Sequence, residues 1–225
     1  MTVVPLKLRE QPDQRRHDPW LTSCRLAELN DHAILTASLR CPSPETLARD
    51  LLARFRSLGG VFGADAFALR GVEGMGSDEV TDIMLAQEAA ARIARAEIRK
   101  RVVTSSWTAL LAYVRVVMAH ESREQFRVLF LDKKNGIILD EVMNQGTIDH
   151  APVYPREVIR RALEVDASAL ILVHNHPSGD PTPSTADIEI TRQVIEAGKP
   201  LRITVHDHIV VGCEGVASLR ALGLI

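Results

Sequence analysis

Two histidines one residue apart, His174 and His176, close an apolar run in the stretch ILVHNHPSGDPTPSTADIEI, residues 171–190. In a strand, residues i and i+2 face the same side. Two neutral imidazoles on one face are a natural pair of zinc ligands. Ten residues separate His176 from Asp187, which falls in the first turn of an expected helix. A third ligand from that second element would close a pyramid around one ion and leave a fourth position open. That is the arrangement of a catalytic zinc rather than a closed structural one, and water in the open position has its pKa lowered to about 7. Plainer readings exist for the same residues. Histidines at a strand end can be polar caps. Ser184-x-x-Asp187 has the spacing of a capping box, in which the acid serves the helix backbone. On sequence alone the two roles compete for one carboxylate.

These residues need a scaffold, and the surrounding pattern supplies one. The run ALILV (169–173) is short and continuously apolar, which predicts a buried strand. STADIEITRQVIEAGKP predicts a helix closed by Gly198 and Pro200. EQFRVLFLD predicts a strand, and Asn135-Gly136 a tight turn into a second one. PREVIRRALEV predicts a helix entered at Pro155, with Val158, Ala162 and Val165 on one face. LRITVHDHIVVG predicts a further strand and VASLRALG a last short helix. TSSWTALLAYVRVVMAH predicts a helix before all of these. Strands alternating with helices make residues 102–225 an α/β domain. Upstream, apolar spacings of three and four predict a small all-α domain over 21–101, ending in a long helix from Ser77 or Asp78. Residues 1–20, rich in charge, Gln and Pro, predict a mobile arm.

The string H-x-H, ten residues, Asp resembles the JAMM (MPN-plus) metalloprotease motif. The fuller HNHPSGDPTPSTADIEIT, with VYPREVIRRALEVDASALILV before it and DHIVVG after it, resembles the RadC family. The resemblance implies a JAMM/MPN-type mixed β-sheet flanked by helices and one Zn2+ held by His174, His176 and Asp187. It also implies a hydrolase, a metallopeptidase or isopeptidase, acting on a peptide or protein. A Glu near the start of the first strand would be the general base, because water on zinc needs a group to take its proton and pass it to the leaving amine. Glu121 and Glu124 are the candidates. Glu124 is preferred because JAMM proteins place this Glu at the start of the apolar strand. Ser184 would stabilise the tetrahedral oxyanion with its hydroxyl. Asp207 and His208 resemble the family's DH pair and could orient a ligating histidine. They could equally be a satisfied strand-end pair. His206-x-His208 repeats the spacing of the first pair, but no acid follows at the right distance. Asp180 suits the turn GDPTP.

In the amino-terminal half, Gly71-Val72-Glu73-Gly74-Met75-Gly76 resembles a helix-hairpin-helix turn, whose backbone N–H groups can meet a phosphate. That resemblance implies a second reading, a DNA-associated repair or recombination factor whose metal domain acts on nucleic acid or serves as a scaffold. Glu73, Asp78 and Glu79 around the turn weaken it, since phosphate contacts call for Lys or Arg. Residues 1–101 carry 15 basic and 14 acidic side chains, a net of +1. Asn30, His32 and Cys41 interrupt the expected helical pattern.

The whole chain of 225 residues has a formal net charge of −2, so bulk charge argues for neither nucleic acid nor an anionic membrane. No stretch approaches the ~20 apolar residues of a membrane helix. The polar start MTVVPLKLREQPDQRR lacks the apolar core of a secretion signal, which points to the cytoplasm. Cys24, Cys41 and Cys213 are scattered and form no CxxC, which points to reduced thiols. Oligomeric state leaves no mark in the sequence.

Overall fold

A computed structural model describes residues 26–99, 107–145 and 153–225. The expected arm over 1–20 and the expected domain boundary at 101 lie outside the described residues. Five helices come first: α1 (Asp31–Ser38), α2 (Pro44–Phe55), α3 (Leu58–Phe62), α4 (Ala66–Arg70) and α5 (Ser77–Arg99). Then follow α6 (Trp107–Met118), β1 (Gln125–Leu131), β2 (Ile137–Gln145), α7 (Pro155–Glu164), β3 (Ala169–Asn175), α8 (Thr185–Gly198), β4 (Thr204–Gly212) and β5 (Gly215–Ser218).

The strands form one mixed sheet in the order β2-β1-β3-β4-β5. β1 pairs antiparallel with β2 and β3, and β4 antiparallel with β5. β3 and β4 run parallel, so the chain must cross over between them, and α8 is that crossover. Every residue of β1 and β3 is buried, because helices cover both faces of the sheet. Alternation divides these strands cleanly. Leu129, Leu131, Ile171 and Val173 pack on one face with Leu110, Tyr113 and Val114 of α6. Phe126, Val128, Phe130, Leu170 and Leu172 pack on the other with Val158 and Ala162 of α7 and Val194 of α8. Burying a side chain of this size contributes roughly 1.5–3 kcal/mol, so both faces hold β3 in one register.

The helical half has its own core of Leu35, Leu47, Leu51, Val61, Leu69, Val72, Val80 and Ile83. The start of α5 belongs to that core, while Ala94 and Ile98 near its end join the α6 face of the sheet. Asn30 and His32, which break the sequence pattern, have local roles. Asn30 caps α1 by accepting from the Ala33 N–H at 2.8 Å, and the His32 ring lies 3.3 Å from the Glu45 carbonyl. The stretch VASLRALG is not the helix its periodicity predicts. Its first residues pair with β4 as β5, and turns follow. Cross-strand pairing outweighs the weak helical signal of so short a run. Among the described residues, no helix is long and apolar enough to cross a membrane.

Candidate metal centre

β3 delivers the first histidine. Positions 170, 172 and 174 share the α8 face, so His174 is 2% exposed at the end of a packed row. The alternation runs past the strand. The His176 N–H donates to the Val211 carbonyl at 2.8 Å, which extends the pairing with β4 by one residue and keeps His176 on the same face. The loop then turns back at Gly179, whose φ of +97° favours glycine. Gly179 lies so close to Gly212 that a Cβ on Gly212 would come within 2.0 Å of the Gly179 carbonyl oxygen. Asp180 stiffens the turn, its Oδ1 accepting from the Thr182 N–H at 2.8 Å and hydroxyl at 2.7 Å.

The returning chain starts α8 at Ser184, with a complete capping box. The Ser184 hydroxyl oxygen accepts from the Asp187 N–H, and the Asp187 Oδ2 accepts from the Ser184 N–H at 2.6 Å. Asp187 also faces the histidines: its Oδ1 is 3.2 Å from His174 Nε2 and its Oδ2 3.6 Å from His176 Nε2. The competition expected from the sequence is thus resolved by division. The backbone N–H takes one side of Oδ2, and the remaining lone pairs of the carboxylate stay turned to the imidazoles. His174, His176 and Asp187 form a group whose ligand atoms lie within 4.8 Å of one another, placed to hold a metal ion.

Hydrogen-bond partners fix which ring nitrogens carry protons. His176 Nδ1 lies 2.9 Å from the Asp180 carbonyl, which can only accept, so Nδ1 holds a hydrogen and the neutral ring keeps its lone pair on Nε2. The other imidazole is set by a longer chain. The Thr191 hydroxyl donates to the Asp187 carbonyl at 2.5 Å and therefore accepts from His208 Nδ1 at 2.6 Å. His208 Nε2 is then an acceptor, and His174 Nδ1 donates to it at 2.8 Å. His174 Nε2 is left with its lone pair, 3.0 Å from His176 Nε2. With both imidazoles neutral, two lone pairs and a carboxylate converge with no proton among them. Such a set takes up a cation, a metal ion or a proton.

The spacing is near what an ion needs. Ligand atoms about 2.0–2.1 Å from a tetrahedral ion lie about 3.3 Å apart. The two Nε2 atoms are 3.0 Å apart, and each has a different oxygen of Asp187 close by, Oδ1 at 3.2 Å from His174 and Oδ2 at 3.6 Å from His176. Without an ion, a proton is the available substitute. The Asp187 hydrogen bond pushes the His176 pKa up against the opposing effect of burial, helped by the Asp180 carbonyl and the charge of Glu124. Burial acts to raise the Asp187 carboxyl, but the bonds to His174 and His176 prevail and hold it well below the usual carboxylate range. Burial, with repulsion from His174 second, keeps His208 well below the usual imidazole range and therefore neutral, as its acceptor role requires.

The two candidate glutamates part ways. Glu124 lies two residues before Phe126, which pairs with His174, and its charge is near enough to His176 to help raise the pKa of that ring. Glu121 is displaced to the other side. Its carboxyl lines a cavity of about 600 Å3 with Arg127, Arg95 and Met84, and burial pushes its pKa up. Ser184 stands beside Asp187 with its oxygen engaged as an acceptor and its hydrogen free to donate. The DH pair divides its labour: His208 orients His174, whereas Asp207 holds the carboxyl-terminal turn through the Ser218 hydroxyl and the Arg220 N–H. His206 turns to Asn135 Oδ1 at 2.7 Å and takes no part. Sequence reasoning missed Thr191 altogether. Its signal was faint, a hydroxyl four residues after Asp187 and so on the same helix face.

The Gly71–Gly76 turn does join two helices, with Gly74 at φ +88°. The space beside it is lined by Cys41, Ser43, Asp50 and Glu73 among others. Residues 104–224, more than half of the chain, match the family model described as the RadC-like JAB domain.

Proposed function

The chain belongs to the RadC-like JAB-domain family, and from that premise we propose that it is a zinc-dependent hydrolase of the JAMM type, cleaving an amide or isopeptide bond in a peptide or protein. The observation that carries this reading is the converging set of His174 Nε2, His176 Nε2 and Asp187, with the charge of Glu124 close by. Zn2+ held by those three residues would supply Lewis acidity and an acidified water. Glu124 takes a proton on its carboxylate and delivers it to the departing nitrogen, the double duty that amide hydrolysis asks of one base. The Ser184 hydroxyl donates to the oxygen that becomes negative as the carbonyl turns tetrahedral. His208 and Thr191 keep the His174 lone pair aimed inward throughout.

Elemental analysis of purified protein should find about one zinc per chain, as one three-ligand group implies. His174→Ala should lose it. Glu124→Gln should keep the metal and lose hydrolysis of fluorogenic peptide and isopeptide substrates, by roughly 10²–10⁴-fold for a general base. A wild-type chain without stoichiometric metal, or full activity in Glu124→Gln, would overturn the proposal.

A further inference from the structure

Between the two histidines stands Asn175, 1% exposed and unused by the chemistry above. Alternation turns it away from the metal, toward the α6 face. Its side-chain amide makes three hydrogen bonds, all to the backbone just before and at the start of β1. Oδ1 accepts from the Gln125 N–H at 2.8 Å. Nδ2 donates to the Arg123 carbonyl at 3.1 Å and to the Glu121 carbonyl at 3.3 Å. The Arg123 carbonyl belongs to the peptide unit before the Glu124 Cα, and the Gln125 N–H to the unit after it. One amide therefore grips both peptide planes that flank Glu124. Residues 122 to 124 have no regular secondary structure, so no ladder would hold them otherwise.

We propose that Asn175 is a positioning residue for Glu124, fixing the direction in which its carboxylate leaves the backbone. The proposal rests on the reading of Glu124 as the base. Three consecutive residues then serve one centre: the outer two present imidazoles on one face, and the middle one sets the base from the other. The residue type is specific. An Asp there lacks the two donors, and an Ala or Ser cannot span the three backbone groups. A misplacement of about 1 Å is enough to cost a catalytic group much of its effect.

The test uses the full chain loaded with Co2+, whose visible bands are followed against pH, together with hydrogen exchange. In the wild type, the Gln125 amide should exchange as slowly as the amides of the β1–β3 ladder. In Asn175→Ala, the peptide covering 120–125 should exchange about tenfold faster or more, the effect of losing its buried partners, while metal content holds. Glu124→Gln should shift the pH midpoint of the bands. Asn175→Ala should shift it in the same direction, and the double variant should match Glu124→Gln alone, as coupled residues do. Asn175→Ser serves if the alanine variant does not fold. Rapid exchange of the wild-type Gln125 amide would overturn the proposal without any variant. A midpoint moved by Glu124→Gln but not by Asn175→Ala overturns the positioning role and leaves the base standing. A midpoint that Glu124→Gln does not move removes the base and the positioning role together.

Discussion

The metal face and the Gly71–Gly76 turn both bring chain segments together around a small polar focus, but they are held in opposite ways. At the metal face the polar groups come from four separate parts of the chain: β3 gives His174, the loop gives the Asp180 carbonyl, α8 gives Asp187 and Thr191, and β4 gives His208. The glycine turn is held mainly by its own neighbours, Val72 N–H to Leu69 and Met75 N–H to Val72, with one outside donor, Arg54, on the Gly71 carbonyl. The first arrangement directs lone pairs at one point. The second only reverses the chain. A site that converges requires partners far apart in sequence, and the metal face has them.

The largest effect should come from Asp187→Ala. It removes a proposed ligand and half of the capping box at once. Helix capping accounts for about 1 kcal/mol of stability. Metal affinity should fall by more than the roughly 100-fold that losing an outer partner costs. Isothermal titration with Zn2+ and a thermal melt separate the two losses. Retained affinity would mean that Asp187 is a cap alone, and the contrast between the regions would shrink to one of packing. Thr191→Val should come next. It keeps the shape and removes the hydroxyl that accepts from His208 Nδ1, so His208 can adopt the other tautomer and reverse the bond to His174. Affinity should drop about 10–100-fold with little change in fold. Unchanged binding would show that the relay does not set the tautomer.

Much of this contrast was readable in the sequence, for physical reasons that can be named. The buried run at 169–173, the periodicity of the helices and the Asn135-Gly136 turn are local signals, and each produced the element it predicts. The spacing from His174 to Asp187 identified the group that the fold gathers. What was not readable depends on cross-chain register. VASLRALG pairs as β5 because β4 lies beside it, which no local period encodes. Thr191 and Asn175 look like an ordinary helix hydroxyl and an ordinary strand-end amide until β4 and the segment before β1 are brought against them. Asn30 looks like a flaw in a helix because a cap and an interruption have the same polar signature.

A smaller effect concerns pH. Metal binding requires His176 neutral, and its pKa in the metal-free protein is raised by Asp187. Protons therefore begin to compete at a higher pH than for an ordinary imidazole. Below that raised pKa, affinity should fall by about tenfold per pH unit for the one proton displaced. Asp187, held well below the usual range, stays ionised across the same window and adds nothing to the slope. Zn2+ titrations from pH 8 down to pH 5 measure the slope, and a flat profile would show that zinc displaces no proton from His176.

The smallest effect should come from the other region. Gly74 sits at φ +88°, and a Cβ added there would meet only Leu47 Cδ1, at 3.9 Å, so Gly74→Ala costs backbone strain and little else. That strain amounts to about 1–2 kcal/mol for a residue with a Cβ. The melting temperature should fall by a few degrees, while zinc affinity and the pH midpoint stay where they were. The reason is topological: α5 joins both cores, but the candidate ligands lie on β3, the loop after it and α8, none of which the turn touches through a hydrogen bond. If Gly74→Ala weakened zinc binding as well, the turn and the metal face would be one cooperative unit. α5, shared by the helical core and the α6 face of the sheet, would then be the element that couples them.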